Sequence, residues 1–204
     1  RSEQFFRQMI RIGILGSIGS GKSYIAKKFG YPVFNADLAV AKIYKENRKC
    51  FKKLKRCLPK YINSFPIEKK QILDAILANN SNLKKIIKII HPEVRLQMKK
   101  FIKKNKNKKI IVLDIPLLLE NGINKKADVL VFIDANPKKL KKMLIKRRNF
   151  NKKITKKFKN LQLPLEYKKK KSHFVIKNNF KSQSFKKDVN RILKNIFSHE
   201  RNSP

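Results

Sequence analysis

The stretch that decides the fold runs from residue 10 to residue 24: Ile10-Arg-Ile-Gly-Ile-Leu-Gly-Ser-Ile-Gly-Ser-Gly-Lys-Ser-Tyr24. The chain has only six glycines, and four of them lie within this stretch. The apolar run over residues 10–15 predicts a strand, and residues 22–29 predict a helix. Between them, Gly16-x-x-x-x-Gly21-Lys22-Ser23 matches the phosphate-binding P-loop in the strand–loop–helix context that this motif requires.

The residue types of this loop suit a phosphate ligand. Glycines allow backbone N–H groups to turn inward around an anion, and a helix N-terminus adds the positive end of its dipole. Lys22 then reaches the β- and γ-phosphates, and the Ser23 hydroxyl binds Mg²⁺. A chance match in a lysine-rich chain is the alternative, and the flanking strand and helix argue against it. The nucleotide-binding residues predicted here are Gly16, Gly19, Ser20, Gly21, Lys22, Ser23 and Tyr24.

The charge of the chain first suggests a nucleic-acid partner. Fifty-three Lys and Arg residues against 13 Asp and Glu residues give a formal net charge of +40. The lysines are spread along the whole chain, however, and the abundance of Lys, Asn, Ile and Phe with no Trp is the bias that AT-rich codons produce. We therefore expect only non-specific binding of nucleic acid, with a selected nucleic-acid surface as the alternative.

Composition and length place the chain among folded α/β proteins. Its 204 residues suit one domain with insertions, and 41% hydrophobic residues are ordinary for a folded chain. No apolar run reaches membrane-spanning length, and the N-terminus lacks a secretory signal, so we expect a cytoplasmic protein without a membrane partner. Cys50 and Cys57 are typical of reduced thiols. Met9 directly precedes the first strand, and we expect residues 1–8 and 199–204 to be tails.

Five apolar runs separated by helices predict a parallel sheet. The predicted strands cover residues 10–15, 33–36, 110–115, 128–134 and 174–178. The predicted helices cover residues 22–29, 38–50, 51–58, 67–78, 81–90, 92–105, 137–148, 152–160, 165–171 and 185–197. Because ligands bind at the carboxyl ends of parallel strands, we expect the P-loop, Asp37, residues 114–120 and the residues after 134 to surround one crevice.

The fold class predicted is α/β, with a P-loop NTPase-type five-stranded parallel sheet and helices on both faces. Its nucleotide-binding core comprises residues 9–50, 109–147 and 172–198. Residues 51–108 are predicted to form a helical insertion that binds the acceptor substrate, and the basic residues 148–171 a short helical lid.

Further motifs follow the P-loop along the chain. They are Asn35-Ala-Asp37-Leu-Ala, His91-Pro-Glu-Val94, Pro116-Leu-Leu-Leu-Glu120, Gln162-Leu-Pro-Leu-Glu-Tyr-Lys168 and Ser172-His173-Phe-Val-Ile-Lys-Asn178. With the opening stretch, they make the chain resemble dephospho-CoA kinases from Met9 to about Phe197. The departures from the family pattern are Leu15, Ser17, Asn35 for an aspartate, Met143 for an arginine, and His173 for an aspartate.

The resemblance implies transfer of the γ-phosphoryl group of ATP to the ribose 3′-hydroxyl of dephospho-CoA, with Mg²⁺ as cofactor. It implies that Asp37 is the catalytic base and also contacts this substrate. Arg147 corresponds to the lid arginine that contacts the phosphoryl group, a task that suits its planar fork. Asn178 lies in the loop that the family places near the adenine of ATP.

Several candidate residues have a structural alternative. Asp37 could instead cap a helix beginning at Leu38, and Asp114 could be a loop-capping residue instead of a support for Mg²⁺. Glu120 is either structural or part of the acceptor pocket. His91 is either a helix-break residue before Pro92 or a residue near the CoA moiety.

Other functions remain open from the residues alone. The first is another small-metabolite or nucleotide kinase on the same core. The second is a P-loop ATPase that binds nucleic acid, as the charge would suggest, and the third is a non-catalytic remnant in which Asn35, Met143 and His173 mark lost function.

Overall fold

The computed structural model describes residues 9–146, 150–180 and 184–201. The chain divides into two compact units. The core unit comprises the residues up to 34, residues 105–150 and the residues from 161 onward, and the helical unit comprises residues 35–104 and 151–160. None of the described helices is long and apolar enough to cross a membrane.

A five-stranded parallel sheet forms the core unit, in the order β2-β3-β1-β4-β5. The strands are β1 (Ile10–Gly16), β2 (Val33–Asn35), β3 (Ile110–Asp114), β4 (Val129–Ala135) and β5 (Phe174–Asn178). The helices are α1 (Lys22–Lys28), α2 (Ala36–Glu46), α3 (Arg48–Cys57), α4 (Lys69–Ala78), α5 (Asn80–Lys104), α6 (Pro137–Ile145), α7 (Lys152–Lys159), α8 (Leu165–Lys170) and α9 (Ser184–Arg201). The predicted fold class is confirmed.

The central strands are apolar on both sides because both faces of the sheet are covered. On one face, α1 and α9 pack against the sheet through a cluster of buried side chains that includes Ile12, Ile14, Ile25, Val131, Ile133, Ile176, Phe185, Val189 and Ile192. On the other face, a Cβ atom at Gly13 would lie 2.5 Å from the side chain of Leu118 and 2.9 Å from that of Leu130. Glycine at residue 13 therefore allows these leucines to approach β1.

The helical unit differs from the sequence prediction at two helix boundaries. One helix was expected over residues 38–50, but α2 ends at Glu46 and Asn47 caps α3 by accepting a hydrogen bond from Cys50 N at 2.9 Å. A helix break was expected at Pro92, but α5 continues through it. Ile86 and Ile90 before the proline and Val94 and Met98 after it are all buried, so packing along one face holds the helix together despite the lost hydrogen bond.

The unit boundaries also differ from the predicted ones. The helical unit begins at residue 35 and not at residue 51, so it includes α2. The segment predicted as one lid is divided between the units: α7 belongs to the helical unit and α8 to the core unit. Lys157 Nζ of α7 donates to Ile76 O of α4 at 2.7 Å, which explains this placement.

Candidate active site

The P-loop joins β1 to α1, as predicted, and its lysine lies against its own backbone. Lys22 is largely buried, and its Nζ donates to Ser17 O at 2.6 Å and to Gly16 O at 3.2 Å. The ammonium group therefore already lies at the loop whose backbone surrounds a phosphate in this motif.

Two glycines of the loop have backbone conformations and neighbours that exclude a side chain. Gly21 caps α1 with φ of 90°, and a Cβ atom there would lie 2.6 Å from Asn178 Nδ2. Gly19 has φ of 80°, and its Cβ would lie 2.5 Å from Leu144 Cδ2 and 3.3 Å from Leu140 Cδ1. Both positions lie in the left-handed region that favours glycine. The loop therefore packs closely against β5 and α6.

Asn178 contacts the P-loop directly. Its Nδ2 donates to Ser20 O at 2.7 Å, and its Oδ1 accepts from Phe180 N at 2.6 Å. Its backbone oxygen accepts from Asn136 N at 3.2 Å, at the start of α6. Ser20, a predicted nucleotide-binding residue, is fully buried under these contacts. The amide of Asn178 thus supports the loop, and its role at the adenine remains a prediction.

Ser23 and Tyr24 lie exposed on the first turn of α1. The Tyr24 ring packs edge-on against Phe185 with the ring centroids 5.9 Å apart, and Lys28 Nζ lies 4.9 Å from its centroid. Ser23 therefore lies at the N-terminus of α1, and Tyr24 packs against α9.

Asp114 is the last residue of β3 and is 2% exposed. Within the described ranges, no group of three or more His, Cys, Asp or Glu side chains is placed to hold a metal ion. Mg²⁺ does not require such a group, because it usually takes one or two protein ligands and completes its shell with water and substrate phosphates.

Glu120 and His173, two residues of the sequence motifs, make contacts within the core unit. Glu120 accepts a hydrogen bond from Leu163 N at 3.0 Å and pairs with Lys168. These two contacts, and the 9% exposure of the Glu120 side chain, favour the structural alternative for Glu120. His173 Nδ1 accepts from Leu130 N at 2.9 Å, and His173 N donates to Leu130 O at the same distance. His173 therefore joins β4 to the start of β5, a role that sequence reasoning missed because Leu130 is far away in the chain.

Asp37 lies in the helical unit, exposed in the first turn of α2. The helix begins at Ala36, and Asn35 Oδ1 accepts the capping hydrogen bond from Leu38 N at 2.8 Å. The alternative that Asp37 caps a helix beginning at Leu38 is therefore wrong. Asparagine caps helices about as well as aspartate, so the departure at Asn35 keeps the local structure.

His91 lies within α5 and is half-buried. The alternative that it marks a helix break is wrong, because α5 is continuous through Pro92. Burial first, and the charge of Arg95 second, lower the pKa of His91 below its ordinary value of 6.5. His91 is therefore neutral at neutral pH.

The lid arginine predicted at Arg147 lies outside the described residues. Upstream of it, Leu140 and Leu144 of α6 face Gly19 of the P-loop, which sequence reasoning also missed. Their spacing of four residues on one helix face was the available signal. Met143, which stands in place of an arginine of the family pattern, is 48% exposed.

A parallel sheet with a P-loop after its central strand defines the class: the chain is a P-loop nucleotide-binding α/β protein. The family model described as dephospho-CoA kinase matches residues 10–184. The chain belongs to the dephospho-CoA kinase family.

Individual relatives agree with this assignment. The chain is 33% identical over 170 residues to a dephospho-CoA kinase of Wolbachia sp. subsp. Brugia malayi, a match that covers 81% of this chain and 87% of the relative. It is 32% identical over 194 residues to a dephospho-CoA kinase of Fusobacterium nucleatum, covering 91% and 97%. The crystal structure of TT1252 from Thermus thermophilus superposes with a TM-score of 0.74 at 27% identity, covering 94% of this chain and 98% of that one.

Proposed function

We infer that the protein transfers the γ-phosphoryl group of ATP to the ribose 3′-hydroxyl of dephospho-CoA, which gives coenzyme A in the final step of its synthesis. The observation that carries this inference is the P-loop, with Lys22 Nζ lying on the loop backbone, in a chain that the dephospho-CoA kinase family matches over residues 10–184.

Phosphoryl transfer of this kind depends mainly on positioning and charge neutralisation. The backbone N–H groups of the loop bind the phosphates, and Lys22 exchanges its two loop carbonyls for oxygens of the β- and γ-phosphates. Asp37 orients or deprotonates the attacking hydroxyl group. Arg147 stabilises the charge on the transferring group, and His91 contributes to acceptor binding.

Mg²⁺ is the metal that these residues suit. Ser23 would hold it directly and Asp114 through water, and the bound ion would neutralise the charge that develops between the β- and γ-phosphates. We place the reaction in the cytoplasm, because the free thiols of Cys50 and Cys57 suit a reducing compartment.

A coupled assay of ADP formation tests this function. With ATP and Mg²⁺, we expect ADP to form only when dephospho-CoA is added, and Lys22→Ala to abolish turnover in a folded protein. Lys27→Ala is the matched control, because Lys27 is exposed on the same helix. Equal ADP formation with and without dephospho-CoA, or faster turnover with another metabolite or nucleotide, would contradict the proposal, as would stimulation by nucleic acid alone.

A further inference from the structure

Lys168 differs from its three neighbours in a run of four lysines. The run covers residues 168–171 at the end of α8, and Lys168 alone among the four is buried, with its side chain 1% exposed. Lys169 is 40% exposed and pairs with Asp134 at 2.9 Å, and Lys170 is exposed. Burial of a single lysine in such a run requires a specific partner, because an unpaired buried charge is costly.

The partner of Lys168 is Glu120, in the turn that follows β3. Lys168 Nζ lies 2.6 Å from Glu120 Oε1, and the Glu120 side chain is 9% exposed. The same oxygen accepts a hydrogen bond from Leu163 N at 3.0 Å. One carboxylate therefore joins three parts of the core unit: the turn after β3, the chain at residue 163 and α8.

Stability alone is a poor reason for this pair. Replacing a buried ion pair by apolar residues of similar volume is often neutral or stabilising, because desolvation offsets the attraction between the charges. Here both charged side chains are buried, and one carboxylate oxygen, Glu120 Oε1, meets both Lys168 Nζ and Leu163 N. Such a pair is better explained by the geometry that it imposes than by its net energy.

The turn that Glu120 anchors begins directly after Asp114. It is closed by hydrogen bonds from Leu118 N to Ile115 O at 3.2 Å and from Ile123 N to Leu118 O at 3.1 Å. Leu118 packs into the space that Gly13 leaves beside β1, so the turn is held there and at Glu120. Arg11 Nη2 also donates to Ile123 O at 3.1 Å, so loss of the Glu120 anchor would release the middle of the turn while its end stays tied to β1.

We propose that Lys168 is a positioning residue of the phosphoryl-transfer site. Through Glu120 it holds the turn after β3, and thereby the carboxylate of Asp114, in the position that supports Mg²⁺·ATP. This role rests on the proposed function. It requires no contact between Lys168 and either substrate.

The test compares Lys168→Met with Lys170→Met, which removes an exposed charge from the same helix. For Lys168→Met we expect kcat to fall at least about tenfold with the KM for ATP within about twofold, because positioning is lost while phosphate binding is kept. The Mg²⁺ concentration for half-maximal ATP binding, measured as the rise in Tm, should increase severalfold. Exchange of the Leu163 amide hydrogen should be at least about tenfold faster. Lys170→Met should match the wild type in all four measurements.

A double variant covers the case in which Lys168→Met fails to fold around its unpaired carboxylate. Glu120→Gln with Lys168→Met removes both charges and keeps an oxygen that can accept from Leu163 N. We expect it to recover Tm, protection of the Leu163 amide, Mg²⁺-dependent ATP binding and most of the turnover.

Three outcomes would overturn the proposal. Lys168→Met could match Lys170→Met throughout, or it could change only Tm and amide exchange, which would leave a structural role alone. A double variant that is stable and protected at Leu163 but inactive would instead mean that the charge itself acts on substrate. If the wild type showed no turnover that depends on dephospho-CoA, the proposed function would be refuted. The positioning role of the Lys168–Glu120 pair would still be tested by ATP binding and amide exchange.

Discussion

At the start of α2, Asn35 caps the helix and Asp37 is the proposed catalytic base. Asn35 supplies the side-chain cap at Leu38 N, and Asp37 stands exposed two residues further on. A carboxylate in the first turn also interacts favourably with the helix dipole, by about 0.3–1 kcal/mol. Because the side-chain cap comes from Asn35, substitution at Asp37 leaves the N-cap hydrogen bond of α2 in place.

Asp37→Asn is predicted to lower kcat by about 10²–10⁴, the range of a general-base contribution, and to leave ATP affinity unchanged. The capping hydrogen bond from Leu38 N to Asn35 Oδ1 is retained, and the lost dipole contribution should lower the free energy of unfolding by about 0.3–1 kcal/mol. Measuring kcat, ATP affinity and Tm on one preparation tests this. If stability falls sharply and activity per folded molecule is retained, Asp37 is a structural residue.

His91 is predicted to make stability depend on pH. Burial and Arg95 lower its pKa in the folded state, whereas in the unfolded chain it titrates near 6.5. As the pH falls below about 6.5, the unfolded state binds a proton that the folded state does not, so the free energy of unfolding decreases. Between about pH 7 and pH 5 the wild type should lose more stability than His91→Asn in urea titrations. Parallel curves for the two proteins would refute this.

Among the elements, α2, α3 and α5 show how capping and burial set helix limits. Asn47 ends α2, its N–H donating to Ile43 O, and begins α3, its side chain accepting from Cys50 N. Pro92 does not end α5, because the buried stripe continues on both sides of it. At Asn47, therefore, the capping of backbone groups at two helix ends separates α2 from α3. At Pro92, the loss of one backbone N–H donor does not interrupt α5.

Asn47→Ala is predicted to destabilise the protein by about 1 kcal/mol, the usual cost of losing an N-cap side chain. This corresponds to a fall in Tm of about 2–4 °C for a chain of this size. Asn47→Asp is the control, because aspartate accepts the same hydrogen bond and should change stability little. A loss of equal size in both variants, measured by urea unfolding, would show that the cap is not the cause.

Over the whole molecule, the dominant quantity is the imbalance of 53 basic against 13 acidic residues. Exposed lysines occur on helices of both units, for example Lys28, Lys52, Lys99, Lys141 and Lys186. Some of the few acidic residues form ion pairs with basic ones. One example is the buried pair in which Arg11 Nη2 lies 2.9 Å from Asp128 Oδ2. Such a charge distribution favours polyanions without providing base recognition.

Binding of nucleic acid is therefore predicted to be weak, independent of sequence and steeply dependent on salt. Affinity for two unrelated DNA duplexes should agree within about twofold and fall by at least about 10³ between about 50 and 200 mM salt, through loss of counterion release. Fluorescence anisotropy with both duplexes measures this. Tight binding of one duplex only, at physiological salt, would favour a selected nucleic-acid surface.

The sequence by itself determined the parallel α/β core and its P-loop, because these depend on patterns within short segments. Strand β5 has the predicted bounds, and β1, α1 and the loop between them lie within a residue of theirs. The spacing of glycines, lysine and serine is local in the same way. Each motif that pointed to the family is likewise a short segment, and the order of the motifs is read directly along the chain.

Only the tertiary structure decided which polar side chains support the site. Asn178 donates a hydrogen bond to Ser20 O, although the two residues are 158 positions apart in the chain. In the sequence, Lys168 does not differ from the lysines beside it, and only its burial against Glu120 distinguishes it. The continuity of α5 at Pro92 was decided in the same way, by what lies against it. The physical reason is that burial and hydrogen-bond satisfaction depend on residues distant in the chain, whose proximity no local pattern contains.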